Sequence, residues 1–181
     1  MGKRSKENIT LGSGKLYVKA YTNEMPTVED VCVAENLLGY IQGGASLEYK
    51  EETHEEKDDL GYVSKIVTTK EEALLKCGLI TWNGETLQKL VDRAKVEIKD
   101  GKRVTKIGGA GNAQGKYYAI CFHHEDKADG DLWVLIKGRN TAGFALTFAT
   151  DKGTVTEPEF KAMPHDTDGT LIELIEEADA A

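Results

Sequence analysis

From residue 116 to residue 162 the chain is a succession of short strand patterns separated by turn residues, and this excludes most folds. Breaks at Asp129-Gly130, Gly138-Arg139-Asn140 and Asp151-Lys152-Gly153 delimit strands expected at 116–124, 131–138, 143–150 and 154–162. No helical pattern lies between them, so the β-α alternation that a parallel sheet requires is missing. Pro158 marks the last of these as an edge or bulged strand, because proline cannot donate to a ladder. Leu16–Tyr21 is a further strand, another begins near Leu38, and a short one is expected at 170–176. The expected class is mainly β (α+β), a β-sandwich or barrel with one flanking α-helix.

That helix opens at Asn83, a good N-cap, and Leu87, Leu90, Val91 and Ala94 form one apolar stripe at helical spacing. It is expected to run to about Lys95. The stretch 71–82 is ambiguous, since Thr69 with Glu72 resembles a capping box. Gly78 would weaken a helix there, which favours a buried strand. Residues 22–36 read as a long connection broken at Met25-Pro26, with Glu29-Asp30 facing water. Residues 1–13 are polar and are expected to form a mobile N-terminal arm, followed by a single domain over 14–178. Internal repeats and low-complexity tracts are absent from the sequence.

Residues 41–52 alternate. Leu47 and Tyr49 fall on one face and Ser46, Glu48, Lys50 and Glu52 on the other, the period of a half-buried strand with a charged outer face. Residues 51–59, Glu-Glu-Thr-His-Glu-Glu-Lys-Asp-Asp, are too charged to pack, and Gly61 closes them. Tyr62–Thr68 alternates again. Together 41–68 read as two strands joined by a long acidic projecting loop.

The 181 residues suffice for one domain that buries its apolar surface without disulfides or metal. Against 31 acids stand 23 lysines and arginines, a net charge of −8, so the surface as a whole repels nucleic acid. Lys3-Arg4-Ser5-Lys6 is the one basic cluster and reads as a solvated tail. No apolar run reaches the roughly 20 residues of a membrane helix, and the N-terminus lacks the apolar core of a signal peptide. Cys32, Cys77 and Cys121 form no C-x-x-C pair, so free thiols in a reducing cytoplasm are expected, at least two of them buried.

Residues that could carry chemistry fit bland roles better. His54-Glu55-Glu56-Lys57-Asp58 begins like the zinc-protease H-E-x-x-H but ends in Asp. His123 and His124 are adjacent on a strand, so their side chains point to opposite faces and do not converge on one metal. Asp166-Thr167-Asp168-Gly169 has its glycine in the wrong place for a calcium loop and reads as a tight turn. The glycine-rich 108–115 lacks the Lys-Ser/Thr of a phosphate loop and precedes a strand rather than a helix. Ser5, Ser13, Ser46 and Ser64 lie in no nucleophile-elbow context. Asp100, Lys102, Arg103 and Lys106 read as a solvated face near a helix end. No enzyme, cofactor or metal is expected.

Three segments taken in order carry a resemblance. They are Gly39-Tyr40-Ile41-Gln42-Gly43-Gly44-Ala45-Ser46-Leu47-Glu48-Tyr49, then Lys116-Tyr117-Tyr118-Ala119-Ile120-Cys121-Phe122-His123-His124, then Phe144–Phe148 with Val155–Ala162. By order, spacing and total length, most of residues 14–178 resembles the major tail tube proteins of tailed bacteriophages and phage-tail-like particles. The resemblance implies a subunit of homohexameric rings that stack into a hollow DNA conduit in the virion tail, made in the host bacterial cytoplasm. Sheath, tape-measure and tail-terminator proteins are the implied partners, with transient non-specific passage of DNA and no membrane.

Under that reading Glu48, Lys50, Glu52 and Ser64 are the candidate lumen-facing residues. Glu51, Thr53, His54, Glu55, Glu56, Lys57, Asp58 and Asp59 form the candidate ring-stacking loop. The N-terminal arm and residues 165–181 are expected to order only in the assembled tube. The resemblance leaves open a phage-tail-like bacteriocin or secretion tube. A monomeric β-sandwich binding module is the alternative from another class, and would need an exposed aromatic platform for which only Trp82 and Trp133 are available.

Overall fold

The computed structural model of the chain describes residues 4, 7 and 9–178. Nine strands dominate it: β1 (Lys15–Ala20), β2 (Leu37–Lys57), β3 (Ser64–Leu79), β4 (Ala94–Lys99), β5 (Lys102–Ile107), β6 (Tyr118–His124), β7 (Leu132–Asn140), β8 (Glu159–Met163) and β9 (Glu173–Glu176). Two helices are present, α1 (Val28–Val31) and α2 (Gly84–Leu90). The mainly β class expected from the sequence is the one observed.

Six strands close on themselves in the order β6-β1-β2-β3-β8-β7, every neighbouring pair antiparallel, and β7 pairs back onto β6. The result is a small barrel whose interior is filled by side chains rather than open. Period-two alternation supplies the filling: Leu16 and Val18 of β1, Leu75, Cys77 and Leu79 of β3, Ile120 of β6, Val134 and Ile136 of β7, and Phe160 of β8. β9 continues along β7 beyond β8, with Leu132 opposite Glu176 and Leu135 opposite Glu173.

Tyr17 of β1 and Ala119 and Cys121 of β6 point outward yet are also buried. Tyr17, Ala119, Cys121 and Leu135 form a second cluster with Val31, covered by Met25, Val28 and Cys32 of the connection after β1. That connection holds its one helical turn through Thr27, whose side chain caps α1 by accepting from the Asp30 amide. Cys32 Sγ and Cys121 Sγ meet at 3.5 Å as free thiols. Burial alone pushes the Cys77 thiol up to about 12.

Several expectations are corrected. α2 starts at the Asn83 cap as expected, with Asn83 Oδ1 accepting from the amides of Glu85 (2.8 Å) and Thr86 (3.0 Å). It stops at Leu90 instead of near Lys95, and the chain turns into the hairpin β4–β5. Asp100 therefore sits in a hairpin turn and Lys102, Arg103 and Lys106 lie along β5, not at a helix end. Asp100 (φ 52°) and Gly101 (φ 72°) make the hairpin's two-residue loop with positive φ at both positions.

Residues 143–150 form no strand. Each strand of the barrel already has two neighbours, so that segment lies outside the barrel, and Phe148 is exposed. The strand expected at 154–162 is confined to Glu159–Met163, preceded by one bridge between Thr156 and Leu79. Pro158 interrupts it while its carbonyl accepts from Cys77 N (3.4 Å).

In the segment expected to be a mobile arm, Arg4 is tied down. Its amide donates to Glu177 O (3.2 Å), its guanidinium donates to Gly130 O (3.0 Å), and its Nε lies 3.5 Å from Glu176. Lys3, Ser5 and Lys6, with residues 1, 2 and 8, lie outside the described residues. The region 165–178 is likewise placed on the subunit alone, through β9 and an Asp166 turn that accepts from Asp168 N and Thr170 N. Residues 179–181 lie outside the described residues.

Candidate functional site

Past a bulge after Ile41 on β2, and beyond Leu74 on β3, the two strands leave the barrel together. Ile41 opposes Leu79 and Ala45 opposes Cys77, so three residues of β2 face one of β3. Gly43 (φ 85°) and Gly44 (φ 86°) supply the left-handed backbone this bulge needs, and the bulge re-aims the pair. Leu75 and Leu74 still pair with Phe160 and Lys161 of β8. Beyond Glu72 the two strands pair only with each other.

The outer part is a two-stranded ribbon. The 9 residues from Tyr49 to Lys57 correspond to roughly 30 Å of strand. The projecting element expected from the sequence is present, but it is strand through Lys57 and again from Ser64, with only 58–63 as a turn. The half-buried face expected for 41–52 is not found: Leu47 and Tyr49 are exposed, as are Leu60, Tyr62, Val63, Ile66 and Val67. An isolated two-stranded hairpin in water is marginal, and apolar residues on both faces call for a cover.

Glu48, Lys50 and Glu52 share one face, as the alternation predicted. Opposite them stand Leu74, Glu72 and Lys70. Lys76 reaches Glu48 (3.4 Å) and Glu159 (3.7 Å), Lys50 reaches Glu48 (3.4 Å), Lys70 reaches Glu52 (2.9 Å) and Glu72 (3.7 Å), and Lys161 reaches Glu72 (3.2 Å). Four acids thus meet four bases in two groups along this face, one around Glu48 and one around Glu72. Ser64 does not join them. A one-residue bulge between Glu52 and Thr53 shifts the register, Ser64 pairs with Lys57, and both lie on the opposite face by alternation.

That opposite face carries Leu47, Tyr49, Glu51, Thr53, Glu55 and Lys57. Glu51 and Glu71 stand directly across from each other, an unfavourable like-charge pair, and Tyr49 Oη lies 2.7 Å and 2.5 Å from them. Glu71 as acceptor, then Glu51, raises the Tyr49 pKa. At the far end His54 meets Glu56 (2.7 Å) and Lys57 meets Glu55 (3.1 Å). Asp58 Oδ1 accepts from Val63 N (2.7 Å), which shapes the turn and lowers its pKa. The predicted stacking residues are therefore the distal ribbon and its turn.

The charge of Lys76 foremost, then the hydrogen bond from Lys50, holds the Glu48 carboxyl below its ordinary value of 4.5. A hydrogen bond from Lys161 does the same for Glu72. A depressed folded-state pKa means a contribution fully present above the ordinary value and lost as pH falls through the folded one. Amide shifts of residues 46–52 and 70–76 are expected to be constant above pH about 4.5 and to move together below it. Shifts unaffected by acid would show that these pairs do not organise the ribbon.

The other chemistry-bearing residues are dispersed. His123 Nε2 contacts Asp131 (2.8 Å) and its ring stacks on Trp133 at 5.0 Å, while His124 is buried with Nδ1 against Ser13 O (2.8 Å). They point to opposite faces as expected. No cluster of three metal-ligating side chains occurs among the described residues, and no helix there is long and apolar enough to cross a membrane. Trp82 and Trp133 are both half-buried, so neither offers an open platform. Comparison with known proteins finds no matching family model and no match among curated proteins.

Proposed function

We propose that this chain is a tube subunit of a bacteriophage tail or a phage-tail-like particle, forming hexameric rings that stack into a conduit for DNA. One observation carries the reading: a filled barrel extends a long ribbon whose two faces and apolar tip all lie in water in the isolated subunit. A protein that works alone has no use for such an element, whereas a self-assembling one completes it with neighbouring copies. The Glu48–Lys50–Glu52 face suits a conduit wall, because its cations are already spoken for by its own acids. Free lysines there would hold phosphates and slow their passage.

Negative-stain electron microscopy with sedimentation velocity over a range of concentrations tests this. Hollow rods or six-membered rings are expected from the intact chain. Removing residues 53–68, which joins Glu52 to Thr69 across the bulge, should leave a folded subunit that no longer forms long tubes. An intact chain that stays monomeric at high concentration would overturn the proposal and turn attention to ligand screening of a monomeric binding module.

A further inference from the structure

The hairpin β4–β5 forms a sheet of its own, apart from the barrel. One face packs toward α2: Ala94 is buried, and Arg103 reaches Glu85 at 2.9 Å. The other face carries Lys95, Glu97 and Lys99 of β4 beside Lys106, Val104 and Lys102 of β5, in register. Within residues 94–107 five bases stand against two acids, in a chain whose net charge is −8.

Glu97 holds Lys106 (2.7 Å) and Lys95 (3.2 Å), and these contacts lower its pKa, Lys106 foremost. Lys99 and Lys102 face each other across the Asp100-Gly101 loop with no ion pair among the described residues. Like charges placed directly opposite destabilise a ladder unless something neutralises them. Val104 is partly exposed on the lysine face, while Ile98, paired with Arg103, lies on the opposite face.

The ribbon tip is the converse. Residues 52–65 hold five acids and two bases, and Tyr62, 84% exposed, stands there with Leu60 and Val63. Asp59 has no ion pair among the described residues, and Glu56 contacts only His54.

We infer that the β4–β5 hairpin receives the β2–β3 ribbon tip of a second copy of this chain, with Lys99 and Lys102 against Glu56 and Asp59 and with Val104 against Leu60 and Tyr62. Charge complementarity selects this occupant: on an acidic protein, an unneutralised basic hairpin and an unneutralised acidic tip, each with exposed apolar residues, complete one another. The inference rests on the assembly reading above and names the receiving surface for the ribbon.

Charge exchange tests it in the full-length chain. Lys99→Glu with Lys102→Glu, and separately Glu56→Lys with Asp59→Lys, should each weaken self-association about tenfold or more, measured by sedimentation and by counting rods. Mixing the two variants should restore assembly, since each then offers a complementary surface to the other. The substituted side chains are exposed and lie outside the core, and circular dichroism checks that both variants fold. Wild-type rods indifferent to either exchange, or a mixture no better than its components, would overturn the contact and leave the tube reading standing. A wild-type chain that never associates overturns both. Retention of duplex DNA that is lost in the Lys99/Lys102 variant, with assembly unchanged, would overturn it in favour of a polyanion site.

Discussion

Replacing Phe160 with alanine is expected to destabilise the subunit by about 3–5 kcal/mol, a large part of the stability of a domain this size. Phe160 is 1% exposed and is among the largest side chains filling the barrel. It sits on β8 between β3 and β7, opposite Leu75 on one side and Asn140 on the other. A cavity is cheapest where neighbouring elements can move in, and here they cannot. β8 is hydrogen-bonded along both edges, and Asn140 adds a clamp by accepting from the Glu159 amide (2.8 Å) and donating to Leu90 O (3.0 Å). Urea denaturation should show a lower midpoint with an unchanged slope. Phe148→Ala, at a position 77% exposed, should shift the midpoint little. A Phe160→Ala loss as small as the Phe148 one would mean that the barrel interior is not closed at β8.

How much of this was legible follows from which interactions are local. β1, β6 and β7 were readable because period-two alternation and flanking turn residues act within a few positions. The start of α2 was readable for the same reason: Asn83 caps locally. Its end was not, because Ala94 continues the helical stripe by coincidence and is buried as the first residue of β4 instead. An Asp-Gly pair such as Asp100-Gly101 is a hairpin signal, and reading Asp100 as part of a solvated face near a helix end passes over it. Residues 143–150 have strand composition, but a strand also needs a partner, and each strand of the barrel already has two neighbours.

The site divides in the same way. That Glu48, Lys50 and Glu52 share a face is intrinsic to β2. That Lys76 and Lys70 neutralise Glu48 and Glu52 depends on the register of β3, which no local pattern fixes. Ser64 was misplaced by the single extra residue of the bulge at Thr53, since one step of register exchanges the faces. The run 51–59 reads as too charged for a strand. It forms one because a free-standing ribbon has no core to exclude charge and gains from pairs such as Glu52 with Lys70.

Gly138→Ala is expected to cost more stability than its size suggests, at or above the upper end of the roughly 1–3 kcal/mol typical of overpacking. Gly138 lies on β7 between Tyr118 of β6 and Ala162 of β8. A Cβ there would fall inside van der Waals contact of the Lys161 carbonyl oxygen and 3.0 Å from its carbon. Backbone cannot rotate away as a side-chain end can. β7 is held by β6, and β8 is held by β3, so relief requires opening a seam of the barrel. Gly143→Ala separates this effect from simple loss of glycine's freedom: it has φ 70° and open space around it, so it should cost only the about 1–2 kcal/mol of a left-handed residue. Thermal midpoints of the two variants should fall in that order, with Gly138→Ala the lower. The reverse order would mean that β8 shifts freely against β7, and the closed barrel that anchors the ribbon would have to be abandoned.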